Sequence, residues 1–75
     1  MGDSAYSVVL FDSTSAAIRA EKLTKEAGLR VKLVPVPRHL SSDCGVCLRF
    51  ESADTDILRS ILDAAGMELK EIHVL

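Results

Sequence analysis

Apolar positions along the chain switch between two spacings, alternate and helical. Tyr6 to Phe11 is a β-favouring run, with Val9 and Phe11 on one side of an extended chain and Val8 and Leu10 on the other. Asp12-Ser13-Thr14-Ser15 then supplies residues that cap helices. Ala16, Ala20, Leu23 and Ala27 follow at helical spacing. Glu21 and Lys25 stand one turn apart, and Gly28 stands where a helix commonly ends in a left-handed residue. Leu29 to Val36 alternates in its first half, with Leu29, Val31 and Leu33 on one side and Arg30 and Lys32 on the other. Pro35 and Pro37 stop that strand, because proline has no N–H to give a ladder. Pro37 to Asp43 reads as a loop, and Val46, Leu48 and Phe50 alternate with Cys47 and Arg49 as a third strand. Ser52 or Asp54 is expected to cap a second helix with the stripe Ile57, Leu58, Ile61, Leu62 and Ala65, closed by Gly66. Ile72 to Leu75 reads as a short last strand, Met67 to Glu71 has no assigned register, and Met1 to Ser4 is expected to be frayed or appended.

The resulting order, βαββαβ, predicts an α+β ferredoxin-like sandwich: one antiparallel four-stranded sheet with both helices on one face. In that topology the first strand runs up, the helix returns, the second strand runs up again and the third runs down beside the first. The start of the third strand therefore shares an end of the sheet with the start of the first helix. This brings Cys44 toward the helix N-terminus opened by Ser13, Thr14 and Ser15.

Size and charge narrow the function. Seventy-five residues make one domain, 1–75. A chain this short buries about 60–65% of its unfolded surface and has no room for both a large cavity and a full core. Net charge is -2 and the basic residues are scattered, with Tyr6 the one aromatic besides Phe11 and Phe50, so nucleic acid is not an expected partner. The longest apolar run, Val8 to Phe11, is far short of a membrane span, and no basic-then-apolar leader is seen. Cys44 and Cys47 lie too close together to resemble a secreted disulfide framework. A cytoplasmic protein with reduced thiols is expected.

The cysteines carry the candidate chemistry. Helix N-termini present unpaired N–H groups and about half a positive charge, which favours a thiolate, the nucleophilic form. Arg38 and His39 add positive charge from the preceding loop, and Gly45 is expected to let the backbone turn and a partner approach the sulfur. The bland alternative makes Cys44 a small buried residue at a strand start. Cys44-Gly45-Val46-Cys47 also reads as a redox C-x-x-C pair. However, residues three apart on a strand face opposite ways, roughly 10 Å from each other, too far to bridge without a turn at Gly45. Cys47 thus reads first as a small residue on the sheet face. Zinc fits poorly: Cys44, Cys47 and His39 are three ligands where a structural site wants four, and His73 is distant in sequence. No metal and no cofactor is expected.

Three blocks of residues together resemble a family. Phe11 and Ser13 precede Ala17, Ala20, Glu21, Lys22 and Leu23. Pro35-Val36-Pro37-Arg38 forms the second block, and Ser41-Ser42-Asp43-Cys44-Gly45 leading to Leu48-Arg49-Phe50 the third. Over about Tyr6 to Leu62 the chain resembles the selenium/sulfur carrier-like family of small bacterial and archaeal domains. The resemblance implies Cys44 as the carrier thiol, with sulfur or selenium donor and acceptor proteins as partners. Cys47 departs from that pattern.

Two further readings compete with a carrier. One is a thiol redox protein using Cys44 and Cys47. The other is a non-enzymatic interaction module: the first strand is apolar on both faces and a two-layer fold covers one, so a homodimer or a partner protein is expected to cover the other. The chain is expected to act as a carrier working with partners more than as a stand-alone enzyme.

Overall fold

The computed structural model describes residues 5–38, 40 and 45–75. The expectation of fraying at Met1 to Ser4 lies outside them. The described elements are β1 (Tyr6–Leu10), α1 (Thr14–Glu26), β2 (Val31–Pro35), β3 (Val46–Glu51), α2 (Thr55–Ala64) and β4 (Glu71–Val74), with a 3₁₀ turn, Ser52–Asp54, leading into α2. One sheet runs β2-β3-β1-β4 with every neighbouring pair antiparallel. This is the expected two-layer ferredoxin-like α+β sandwich, with β1 and β3 at its centre.

The alternation sorts the strands as their sequence predicts. Val9, Phe11, Leu48 and Phe50 face the helices and bury against Ala17 and Ala20 of α1 and Leu58 and Leu62 of α2. Leu29, Val31, Leu33, Val46 and Ile72 pack around the same core. Val9, Leu48 and Leu33 form one row across three strands.

The helix stripes depart from the prediction by about one position. α1 buries Ala17, Ala20 and Thr24, while Ala27 is exposed. Thr24 enters the core because its hydroxyl donates back to the Ala20 carbonyl at 2.7 Å, so no polar group is stranded. In α2 the buried residues are Leu58 and Leu62, Ile61 is half-buried and Ile57 is 52% exposed. Neither expected cap closes α2 with its side chain: Asp54 makes no side-chain cap bond, and Ser52 starts the 3₁₀ turn, its hydroxyl 2.7 Å from that of Ser7.

Both helices end the same way. Gly28 (φ 94°) donates its N–H to Lys25 and Leu29 donates to Thr24; Gly66 (φ 73°) and Met67 repeat the pattern on Asp63 and Leu62. Each is a Schellman closure, which needs a left-handed residue that glycine adopts without Cβ strain. Leu29 and Met67, the residues just past the glycines, pack on the helix-side core and fix the direction in which the chain leaves.

Pro35 ends β2 inside the ladder, opposite Val46, which an edge strand tolerates. The last strand begins one residue earlier than expected, at Glu71. The larger correction concerns the second sheet face. Val8, Leu10 and Cys47 have no exposed surface there, and Val34, Val36 and Leu40 pack against them. The segment following β2 covers the apolar residues that had suggested self-association through the first strand.

Leu62→Ala is expected to cost about 2–4 kcal/mol in urea denaturation, as for a fully buried leucine. Ile57→Ala is expected to cost less than about 1 kcal/mol. Equal losses would mean that α2 is rotated relative to this packing.

Candidate functional site

Four chain segments meet at one end of the sheet: the exit of β1, the start of α1, the exit of β2 and the start of β3. The antiparallel register sets this. Val9 stands opposite Leu48 and Pro35 opposite Val46, so Gly45 enters β3 beyond the last pairs of β1, where α1 begins. The Val36 N–H donates to the Gly45 carbonyl at 3.3 Å, extending the β2–β3 pairing by one step toward that end.

Ser13 is the N-cap of α1. Its backbone is extended (φ −147°, ψ 157°), and its hydroxyl accepts the Ala16 N–H at 3.1 Å while its carbonyl accepts from Ala17 at 3.1 Å. Thr14 and Ser15 form the first turn and are exposed. That turn holds no acidic side chain, so no carboxylate within it offsets the positive end of the helix dipole. Sequence reasoning picked these three residues correctly as a helix start, and the sheet brings them to the end from which Gly45 enters β3.

Arg38 is exposed, one residue into a turn closed by the Leu40 N–H on the Pro37 carbonyl at 3.0 Å. The two prolines thus hold the chain extended up to this turn. Gly45 is exposed, but its φ is not positive, and a Cβ built on it would meet nothing within 4 Å. The chain bends at Gly45, as expected, but neither a positive φ nor crowding requires glycine there. Cys44, His39 and Asp43 lie outside the described residues, and with them the expected approach of the Cys44 sulfur to the helix start.

Cys47 sits inside β3, fully buried on the face away from the helices, its Sγ 3.9 Å from the Pro35 carbonyl oxygen. This matches its reading as a small residue packed on the sheet. His73 lies on β4, opposite Val8, and pairs with Glu71 at 2.6 Å. β1 separates it from the strand that carries Cys47.

A family model described as "Putative Se/S carrier protein-like" matches residues 6–74. No curated protein and no solved structure matches the chain.

Two measurements follow from this geometry. Ser13→Ala should lower stability by about 1 kcal/mol through loss of the cap. In the Cys44→Ser variant, the remaining thiol, Cys47, should resist iodoacetamide in buffer and react readily in denaturant; fast reaction in buffer would contradict its burial.

Proposed function

The chain belongs to the Se/S carrier protein-like family, and from that premise we propose that it carries sulfur or selenium on the thiol of Cys44. The family match is the observation that carries this reading. The geometry around it is supportive: Gly45 and Val46 enter the sheet at the end where α1 starts, and a helix N-terminus lowers the pKa of a nearby thiol. A carrier needs an accessible thiolate and little enclosed volume, which suits a chain of this size.

In the proposed step the Cys44 thiolate attacks the outer sulfur of a donor persulfide. A new S–S bond forms on Cys44, the S–S bond of the donor breaks, and its electron pair leaves on the donor cysteine as a thiolate. No external oxidant or reductant is consumed. Passing the sulfur on repeats the exchange with an acceptor thiolate. The selenium case runs through the same displacement and gives a selenosulfide. Backbone N–H groups at Thr14 and Ser15 favour the anion, and Arg38, exposed on its turn, steers anionic groups toward it. Cys47 has a packing role, because a fully buried thiol is poorly placed to resolve a partner disulfide. The working compartment is the reducing cytoplasm, and donor and acceptor proteins are the partners.

Mass spectrometry after incubation with a cysteine desulfurase and cysteine tests the reading. The wild type and Cys47→Ser should gain the mass of one sulfur, reversibly with dithiothreitol, and Cys44→Ser should not. Cys44 should also alkylate faster than Cys47 near neutral pH. No mass gain together with slow, equal alkylation would leave an interaction module. Loss of loading in either single variant would point to a coupled Cys44–Cys47 pair.

A further inference from the structure

The face of the sheet away from the helices is apolar at one end and basic at the other. Lys32 and Arg49 stand directly opposite each other across β2 and β3 on that face. Arg49 sits over the ring of Tyr6, 4.8 Å from its centroid, and Tyr6 is 44% exposed. With Arg30, Lys25 and Glu51 they line a cleft of about 420 Å³, into which Leu29 and Val31 also contribute. Four cations and one carboxylate thus surround one cleft in a chain whose net charge is -2.

The cations are under-compensated. Among the described residues the ion pairs are Lys25 with Glu21 at 3.3 Å and His73 with Glu71 at 2.6 Å, so Arg30, Lys32 and Arg49 have no carboxylate partner there. Like charges placed opposite each other on antiparallel strands are destabilising. Side chains on the exposed part of a sheet face are not constrained by the core, so the packing of the fold does not require this arrangement.

We propose that this cleft docks an acidic segment of a protein partner. Arg30 immediately precedes the edge strand β2 and Lys32 lies on it, a spacing of about 6.8 Å along an extended chain. Carboxylates at alternate positions of an extended segment match that repeat, and Leu29 and Val31 offer apolar surface to its other side chains. A compact anion fits less well, because the cations are spread over β2, β3 and the end of α1. A second copy fits less well, because a two-fold interface would set basic on basic. Single-stranded nucleic acid fits less well, because Arg49 already covers the one aromatic ring that could stack a base. β3 is about 20 Å long, and a standard interface takes about 800 Å² from each partner. A partner held here extends along β3 toward the end of the sheet where Gly45 emerges. The inference stands without the thiol chemistry; within the carrier reading, the partner is the donor or the acceptor.

The test is an NMR titration of the full ¹⁵N-labelled chain, in the Cys44→Ser background, with a polyglutamate peptide. Amide shifts should be confined to Tyr6, residues 30–32 and residues 49–51, and should weaken with added salt. Lys32→Gln with Arg49→Gln should lower the affinity roughly five- to tenfold, the effect of two exposed charges, while Arg59→Gln on α2 should not. Absent shifts, shifts elsewhere, or insensitivity to salt would overturn the proposal in the wild-type charge background without any variant. So would tighter binding of inorganic pyrophosphate or of single-stranded oligodeoxythymidine at the same residues, or concentration-dependent self-association through them. Because no sulfur is transferred in this assay, its failure and the failure of loading on Cys44 are read separately.

Discussion

β1 is buried on both of its faces: Val8, Val9 and Leu10 each have no exposed surface. A sheet with helices on one side supplies one cover, and here Val9 uses it, with Phe50, Leu48, Leu58 and Leu62. Val8 and Leu10 need a second cover, and receive it from Cys47 beside them and from Val34, Val36 and Leu40. Burying two such side chains is worth roughly 3–6 kcal/mol, which is a large part of the net stability of a small domain. The connection leaving β2 is therefore held to the sheet by the same strand that organises the core.

That constraint bears on the candidate site. The segment that carries Arg38 and leads toward Gly45 starts from two residues, Val36 and Leu40, whose apolar side chains are anchored on the second face. Arg38 lies between them on an exposed turn. A chain with anchors on either side of a polar residue holds that residue at the rim of the sheet. Ser13 and the first turn of α1 come to the same end from the other layer, because β1 ends there. The convergence is a product of topology and needs no contact between the segments in sequence.

Much of this was legible because alternation and helical spacing report solvent exposure directly. The faces of Val46, Leu48 and Phe50, the split of Leu29, Val31 and Leu33 from Arg30 and Lys32, and both helix-ending glycines follow from spacing alone. Some of the misses arise because polarity is an imperfect proxy for exposure. Thr24 lies outside the stripe read from apolar spacing, yet a local hydroxyl–carbonyl bond makes it a core residue. Ser52 looked like a cap, yet its hydroxyl pairs with Ser7, and the chain takes a 3₁₀ turn first. The covered second face was missed because the cover comes from a connection, and Val36 and Leu40 sit outside any periodic pattern. The end of the sheet to which Ser13 and Gly45 belong was legible, whereas the surroundings of Cys44 are a matter of side-chain placement that alternation does not encode.

The two halves of the second face obey opposite rules, and the difference is informative. Near Gly45 the face is closed by the chain's own apolar residues, while near Tyr6 it is open and carries Lys32 and Arg49 side by side. If solubility alone shaped the open half, charges of both signs would alternate there, since opposite charges across a strand pair are favourable and like charges are not. Glu51 shows that a carboxylate is accommodated at the same cleft. The basic excess is thus a local departure from what stability favours in an acidic chain. Departures of this kind are where recognition is most readily found, because the interaction that offsets them comes from outside the molecule.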